Sequence, residues 1–448
     1  MSTSRPSREA APAPPTENPP SQDIPLLDYR RTGYRSYVLA LLTVVYAFNF
    51  IDRQILVILQ EPIKAELGLS DTQLGLLTGF AFAAFYVVCG IPIAKWAEHS
   101  TRRSIIALAI TIWSSMTAIS GLVQNYTQLL LARIGVGVGE SGGSPPAHSM
   151  LSDIYPPEKR ATALSIYSTG VNIGVLIGFL LGGWINEFFG WRMAFFVVGL
   201  PGILVAIMLR FTVIEPARGM SQNITADSDA PGIGQTIKFL FSRLTFVHLA
   251  LACGLQAFTG YGTGTWTPSF FIRSHEMSVG EIGTWMAFVQ GGSGIVGTII
   301  GGYVADRLGA MDKRWYCLVP CIAGLIAMPM MVSVYIIPHA EAALLMKIPP
   351  TVLYYTYIGA SLAAAHALVG VRMRALTSAI LMFVLNLIGM GLGPLAIGML
   401  SDALEPHFGI ESLRYSLIIF GVTAPLWAAF HFWKAGHTIN QDVDNAPV

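Results

Sequence analysis

An acid and a base stand side by side in the stretch FNFIDRQ, residues Phe48–Gln54. The acid is Asp52 and the base is Arg53, and the surrounding run, Tyr37–Gln60, is otherwise largely apolar. Placing one charge at the centre of a membrane-spanning helix costs about 2.5–3.5 kcal/mol on insertion scales. If this run crosses a bilayer, the two residues are candidates for function. The alternative is a charged pair at a wet helix end that has no role.

The composition indicates a chain that lies in lipid. Of its 448 residues, 53% are hydrophobic and 12% are charged, and the mean hydropathy is +0.57. Soluble proteins average about 25% charged residues. A net charge of +1 argues against a nucleic acid or another polyanionic partner. The four cysteines lack metal-site spacing and no nucleophile–base pair is evident, so we predict no metal, no cofactor and no enzymatic activity.

Apolar segments of about 20 residues, long enough to span a bilayer, recur along the chain. We predict twelve, at residues 35–60, 73–96, 103–123, 127–152, 160–187, 192–213, 246–272, 281–304, 314–337, 342–369, 374–400 and 413–433. The one long polar connection, residues 215–243, follows the sixth of them. The expected fold is an all-α membrane protein with twelve transmembrane helices in two six-helix bundles.

These segments divide the chain into five parts. A disordered tail (1–34), rich in Pro, Ser and Ala, precedes an N-terminal bundle (35–213). A central loop (214–245) leads to a C-terminal bundle (246–435), and a short tail (436–448) ends the chain.

The Lys and Arg residues predict the orientation of these parts, because cytoplasmic loops carry an excess of them. Eighteen lie on the side of both termini and the central loop, whereas the opposite side holds only Lys64, Arg192, Arg273, Lys347 and Arg414. Both tails and the central loop are therefore predicted to be cytoplasmic. The compact chain and its short loops favour a bacterial inner membrane, and we expect a monomer among membrane lipids.

The two halves repeat a charged motif at the predicted cytoplasmic helix ends. Residues Gly302–Gly309 read GYVADRLG, and Ala94–Arg103 read AKWAEHSTRR. Aligning Glu98 with Asp306 gives an offset of 208 residues, close to half the chain. A carboxylate there, together with the cations that follow it, can clamp neighbouring helices in one conformation. We therefore predict a gating role for Glu98, Arg102, Asp306 and Arg307.

This motif resembles the loop motif of the major facilitator superfamily, with Ala94–Arg103 as a degenerate first copy. The stretch RIGVGVG, Arg133–Gly139, resembles the fourth-helix motif of the same superfamily. Small residues at regular spacing also resemble its glycine-rich fifth helix: Gly170, Gly174, Gly178, Gly182 and Gly183. Such spacing lets helices approach closely in lipid.

A narrower resemblance is to the spinster branch of that superfamily. It is carried by NFIDR (Asn49–Arg53), GLL (Gly75–Leu77) and GVGES (Gly137–Ser141), with Pro145 or Pro146 after it. The resemblance implies export of an amphipathic lipid of the sphingolipid or lysophospholipid type, coupled to protons as in bacterial relatives.

Four ionisable residues are expected deep in the membrane: Asp52, Arg53, Arg133 and Glu140. Adjacent residues on a helix point about 100° apart, so Asp52 and Arg53 need partners elsewhere. At a rise of about 1.5 Å per residue, Asp52 matches Arg133 in depth. An Arg53–Glu140 contact requires both side chains to extend toward each other. Which acid pairs with which base stays open. The alternative to a working site is two structural ion pairs, although buried pairs stabilise poorly.

We interpret this group as a proton switch. Protonation of Glu140 or Asp52 would free Arg53, whose planar guanidinium can hold a phosphate. The C-terminal half is expected to lack a buried acid or base and to present an apolar surface to the substrate. The predicted substrate-binding residues are Arg53, Tyr46, Phe50, Gln256, Tyr261 and Asn386.

The predicted function is proton-coupled transport of an amphipathic lipid by alternating access. Two alternatives remain: a proton-coupled carrier of small organic anions or drugs, and a membrane sensor that has lost turnover.

Overall fold

The computed structural model describes residue 29 and residues 31–221, 233–370 and 373–444. Within these ranges the chain consists of helices and short connections, without a β-strand. Most of the predicted N-terminal tail, residues 222–232 of the central loop and the last four residues lie outside the described residues.

Twelve helical segments follow one another in the order that the sequence predicts. They are Thr32–Ile58 (α1), Asp71–His99 (α2), Arg102–Ser120 (α3), Tyr126–Glu140 with Ser144–Ile154 (α4), Pro157–Phe189 (α5), Trp191–Thr212 (α6), Leu244–His275 (α7), Val279–Gly309 (α8), Trp315–Ile336 (α9), Ala340–Tyr354 with Tyr357–Ala367 (α10), Arg374–Leu385 continued by Asn386–Leu392 and Gly393–Phe408 (α11), and Ser412–Asp444 (α12).

Among the described residues, nine stretches are long and apolar enough to cross a membrane, and one of them spans both α11 and α12. The two segments missing from the nine, α4 and α10, are each interrupted by a break. The prediction of twelve transmembrane helices in two six-helix bundles, α1–α6 and α7–α12, is therefore confirmed. The structure adds two short helices, Gln60–Leu67 directly after α1 and Ile233–Phe241 inside the predicted central loop. Helix α12 continues through the predicted tail as far as Asp444.

The internal repeat extends to the helix starts. Ser70 caps α2 by accepting a hydrogen bond from the backbone N–H of Gln73, and Ser278 caps α8 by accepting one from Glu281. A side-chain oxygen at this position satisfies a backbone donor that the first helical turn leaves free. The two serines are 208 residues apart, the same offset as the loop motifs.

We call the end of the bundle where α1 begins and α12 ends the terminal end, and the opposite end the distal end.

The break in α4 follows from its sequence, since Gly142-Gly143 and then Pro145-Pro146 interrupt the hydrogen-bond ladder. Glu140 is therefore the last residue of the first part of α4.

Glycines bring α5 directly against α1. A Cβ on Gly174 would meet the backbone oxygen of Ala47 and the side chain of Phe50, and a Cβ on Gly178 would lie 2.8 Å from the Gln54 side chain. The prediction of a small-residue packing face on the fifth helix is thus confirmed. It holds α1, and with it Asp52 and Arg53, in a fixed rotation.

The two halves meet along two helix pairs. Helix α2 packs on α11 through Gly79, which lies against Gly391 and Pro394. Helix α5 packs on α8 where Gly183 meets the backbone of Val279. Both contacts depend on residues without a bulky side chain, as expected for helix packing in lipid.

We expect Gly174→Ala to destabilise the protein, because the added methyl group has no space between α5 and α1. Overpacking a filled contact typically costs about 1–3 kcal/mol. The melting temperature in detergent should fall for this variant. The matched control is Gly302→Ala on α8, where an added Cβ has no other atom within 4 Å. Equal melting temperatures for Gly174→Ala and the unmodified protein would contradict the packing assignment.

Candidate functional site

A cavity lies between the two halves, with a volume of about 290 Å³ open to water-sized molecules. Each half contributes ten lining residues: Phe50, Arg53, Gln54, Val57, Thr78, Phe82, Arg133, Val171, Asn172 and Val175 from α1–α6, and Gly260, Tyr261, Gly264, Thr265, Gln290, Tyr354, Tyr355, Tyr357, Ile358 and Met390 from α7–α12. The cationic side chains of this lining, Arg53 and Arg133, come from the N-terminal half. The wall of the C-terminal half consists of tyrosines, aliphatic residues and neutral polar groups.

An ion pair between Arg53 and Glu140 joins α1 to α4 at the cavity wall. The Nε of Arg53 donates to a carboxylate oxygen of Glu140 at 2.8 Å. The Arg53 side chain is 15% exposed and that of Glu140 is fully buried. Of the pairings that the sequence left open, this is the one that forms, so the arginine keeps one edge in the cavity while the acid lies behind it.

Aromatic rings hold the Arg53 guanidinium on its other sides. Its central carbon lies 4.9 Å from the centre of the Phe50 ring, 4.8 Å from Phe82 and 5.1 Å from Tyr86. Rings at this distance attract a cation through their negative faces. From the opposite half, the sulfur of Met390 lies 3.8 Å from an Arg53 nitrogen, so the arginine touches both halves.

The depth match between Asp52 and Arg133 does not produce an ion pair. Asp52 is 1% exposed, and no described donor forms a hydrogen bond with either of its oxygens. The Thr117 hydroxyl faces it without forming a hydrogen bond. Glu140, Arg133 and Arg53 interact with it at longer range. Depth along the helix was the wrong criterion, because Asp52 points about 100° away from Arg53 and faces the interior of the N-terminal bundle rather than the cavity.

Arg133 lines the cavity without a counter-ion in direct contact. Its guanidinium lies 5.5 Å from the centre of the Phe82 ring, the same ring that contacts Arg53. Its Nε is buried and lacks a hydrogen-bond partner among the described residues. The two arginines therefore share one aromatic ring and only one of them has a bonded acid.

Other buried polar atoms around the two acids are also unbonded within the described chain. They are Asn49 Oδ1, Glu140 Oε1 and Thr117 Oγ1. Asn49 faces Glu140, and Thr117 faces Asp52. Buried polar atoms usually have a partner, so a cluster of unbonded donors and acceptors beside two carboxylates calls for an explanation.

The remaining predicted substrate-binding residues fall into two groups. Phe50 and Tyr261 line the cavity together with Arg53. Tyr46, Gln256 and Asn386 are absent from the lining. Tyr46 stacks on Tyr167 at 4.5 Å between ring centres, and Gln256 is buried at 3% exposure within the C-terminal half.

At the distal end a cluster of ion pairs joins the halves. Arg273 of α7 donates two hydrogen bonds to Glu61, at 2.7 and 3.0 Å. It donates two more to Asp71, both at 2.7 Å. Lys64 bonds Asp71 at 2.6 Å. Asp402 of α11 accepts from the backbone N–H groups at the start of α2 at 2.9 and 2.7 Å. Sequence reasoning treated Arg273 and Lys64 as loop cations and missed this cluster.

At the terminal end, the four predicted gating residues do not contact one another. Arg102 is 1% exposed. It pairs with Asp153 of α4 at 2.5 Å and with Glu215, at the start of the central loop, at 2.8 Å. Glu98, Asp306 and Arg307 are exposed, and Arg307 bonds the hydroxyl of Tyr303. The hydrogen bonds and ion pairs that we find between the halves, over the described residues, lie at the distal end or at the cavity.

The C-terminal half contains a buried base that the sequence analysis excluded. Lys347 of α10 is 2% exposed, and its Nζ lies 3.0 Å from the hydroxyl oxygen of Thr267. The sequence analysis counted Lys347 among the cations of the loops and helix ends on the non-cytoplasmic side. Helix α10 begins at Ala340 and carries Lys347 two turns inward, where α7 and α9 cover it.

Comparison with known proteins agrees with this architecture. The sequence profile of the Major Facilitator Superfamily matches residues 42–348. An MFS-type efflux pump of Mycolicibacterium smegmatis is 30% identical over 407 residues, which cover 90% of this chain and 92% of the pump. The probable L-galactonate transporter of Escherichia coli is 25% identical over 410 residues, 88% of this chain and 87% of that protein.

A solved structure is also similar. It is a bacterial homologue of the human lysosomal transporter spinster, 33% identical, and the match covers 92% of this chain and 99% of that one. The TM-score is 0.85 for its inward-facing, unoccupied conformation and 0.81 for its inward-facing, occupied conformation. The likeness to the spinster branch that the sequence motifs indicated is confirmed.

We expect Arg273→Gln to open the distal end. The change removes the cation that Glu61 and Asp71 share, and Asp71 is only 2% exposed. Breaking such a buried pair typically costs about 3–5 kcal/mol. Spin labels at Ala65 and Ile410, both exposed at the distal end, should report longer distances by double electron–electron resonance.

The control for this variant is Arg192→Gln at the same end. Arg192 pairs with Glu66 inside one half, and the two side chains are 35% and 49% exposed. The Arg192→Gln variant should leave the distance distribution between the two labels unchanged, because exposed ion pairs contribute little to stability. The same distribution for Arg273→Gln and the unmodified protein would show that the cluster does not hold the distal end closed.

Proposed function

The chain belongs to the major facilitator superfamily, and we propose that it is a proton-coupled secondary transporter of an amphipathic anion, with a lipid of the sphingolipid or lysophospholipid type as first candidate. The observation that carries the proposal is the ion pair of Arg53 with Glu140 at the wall of the cavity between the halves. It joins a group that can hold an anion to a group that can take up a proton.

The cavity suits a molecule with a charged head and an apolar tail. Arg53 and Arg133 supply two guanidinium groups on one wall, and such groups match the oxygens of a phosphate. Tyr261, Ile358 and Met390 supply apolar surface on the other wall. Most ligand sites combine apolar lining with a few polar groups that fix orientation, and this cavity has that composition.

The charges of the N-terminal half explain how a proton and an anion can be coupled. Asp52, Glu140, Arg53 and Arg133 sum to zero when all four are ionised. An anionic head that approaches Arg53 adds a negative charge next to Glu140, and buried like charges repel strongly. Protonation of Glu140 removes that repulsion and frees the Nε of Arg53 for the substrate. Asp52 is the second acid able to accept the proton.

The conformation supports alternating access. Within the described part of the chain, ion pairs join the halves at the distal end and not at the terminal end. With the termini placed in the cytoplasm of a bacterial inner membrane, as the Lys and Arg distribution predicts, this state is open inward. We propose that the rocking units are the two bundles predicted at 35–213 and 246–435, and that Glu98, Arg102, Asp306 and Arg307 re-form contacts when the terminal end closes.

A second candidate is a carrier of small organic anions. It is favoured by the cavity volume of about 290 Å³, at the low end for ligand pockets, which typically measure about 300–1,000 Å³. The similarity to a probable L-galactonate transporter supports the same candidate function.

We expect counterflow in proteoliposomes to separate these candidates. The purified protein would be loaded with a lysosphingolipid, a sugar acid or a neutral sugar, and uptake of the labelled compound would be followed across a set pH gradient. Exchange of the lysosphingolipid supports the lipid proposal, and exchange of the sugar acid alone replaces it by the second candidate. Ligand binding without exchange of any compound would identify a sensor.

We expect Glu140→Gln and Asp52→Asn each to abolish the pH dependence of transport, because an amide cannot exchange the coupling proton. The initial rate of the exchanged compound would be measured at several external pH values. Glu341→Gln is the control, since Glu341 is exposed in the first turn of α10, and it should keep the pH profile of the unmodified protein. Unchanged pH dependence in both acid variants would rule out the proton switch.

A further inference from the structure

Lys347 is a buried cation without an acid. Its Nζ lies 3.0 Å from Thr267 Oγ1 and 4.0 Å from the sulfur of Met331, and no carboxylate of the described chain pairs with it. Arg102 and Arg273 differ, because each binds two carboxylates. Among the described residues, Arg133 is another buried cation without a bonded acid, and it lines the central cavity. The hydroxyl and the thioether can orient the amine, but neither offsets its positive charge.

A small side chamber surrounds this amine. It has a volume of about 30 Å³ open to water-sized molecules. Thr263, Met331, Lys347 and Thr351 line it on the far side from the central cavity. The remaining wall, formed by Gly260, Gly264, Gln290, Tyr354 and Tyr355, also lines the central cavity. The chamber and the cavity are therefore neighbours that share one wall.

Donors in that shared wall can assist the amine. The Tyr355 side chain is half-buried, and its hydroxyl makes no hydrogen bond within the described part of the chain. The Gln290 amide donates one hydrogen bond to the Gly264 carbonyl at 3.2 Å and has a second N–H. By contrast, the Tyr354 hydroxyl is already bonded to the Gln256 carbonyl. An anion that reaches Lys347 would thus meet further donors at the entrance.

A purely structural role explains Lys347 poorly. An unpaired ammonium in the interior of a bundle is expensive, and apolar residues of similar volume stabilise such positions at least as well. Thr267 does not depend on the lysine, because its hydroxyl donates to the Thr263 carbonyl at 2.6 Å. A ligand-binding role therefore explains the buried lysine better than a role in stabilising the fold.

We propose that Lys347 and the side chamber form an anion subsite of the C-terminal half, which receives the carboxylate of a transported organic anion. The subsite rests on the proposed transport function, since it adjoins the same cavity. The size of the chamber favours a carboxylate: a volume of about 30 Å³ has room for about two water-sized groups, which matches the two oxygens of a carboxylate better than the tetrahedral oxygens of a phosphate. Lys347 lies about 10 Å inward from the start of α10, so the subsite is on the distal side of the cavity.

The test uses the full-length protein in detergent and three probes of equal chain length: hexanoate, hexyl phosphate and hexanamide. The melting temperature would be measured against the concentration of each probe, because a ligand that binds only the folded state raises it. Hexanoate should raise the melting temperature and hexanamide should not. In Lys347→Met the apparent Kd for hexanoate should increase at least tenfold.

Two further variants keep the result interpretable. Lys313→Met changes an exposed lysine at the terminal end and should bind hexanoate like the unmodified protein. Lys347→Gln serves if the methionine variant fails to fold, and it should lose hexanoate binding as well. Equal hexanoate binding with and without Lys347, equal effects of hexanoate and hexanamide, or a response to hexyl phosphate alone would each overturn the assignment.

The readout also separates this inference from the proposed function. Binding in detergent does not require transport, so a protein that binds hexanoate through Lys347 but exchanges nothing in proteoliposomes keeps the subsite and loses the transport proposal. A protein that exchanges a lysosphingolipid but whose hexanoate response does not depend on Lys347 loses the subsite and keeps the transport proposal.

Discussion

The ion pair between Arg53 and Glu140 determines what the rest of the site can be. Arg53 must reach across from α1 to α4, and it does so over the faces of three aromatic rings. That reach directs the adjacent Asp52 into the bundle interior, where no donor of the described residues bonds it. The glycine face of α5 fixes the rotation of α1 that makes this possible. Helix α1 therefore places Arg53 at the cavity wall and Asp52 in the bundle interior.

The same constraint, that a buried charge needs an opposite charge, explains the asymmetry between the two ends. At the distal end the acids come from the N-terminal half and Arg273 comes from the C-terminal half, so their bonds tie the halves together. At the terminal end Arg102 pairs with Asp153 of the N-terminal half and with Glu215 at the start of the central loop, so neither bond reaches the C-terminal bundle. A rocking motion would need to break the first network but not the second.

The sequence predicted the features that depend on period and composition. Twelve spans, the repeat of 208 residues and the small-residue face of α5 are all readable along the chain, because each is a local pattern. The partners of Arg53 and Arg273 are not local: Glu140 lies 87 residues away and Asp71 lies 202 residues away. Which of them meet depends on helix rotation and tilt, which depth along a helix does not specify. Lys347 was missed because a lysine near a helix end looks the same in sequence whether it faces solvent or another helix.

Under the proposed mechanism, Lys347 changes the net charge of the site that an anion enters. The four ionised residues of the N-terminal half sum to zero, so a resting cavity with only those groups would be neutral towards an anion. A protonated Lys347 on the other side of the shared wall makes the site positive by one charge, without a described acid to cancel it. An anion that enters then meets attraction from the C-terminal half before any proton has moved. Its arrival beside Arg53 raises the cost of an ionised Glu140, so anion entry would come first and proton uptake would follow from it.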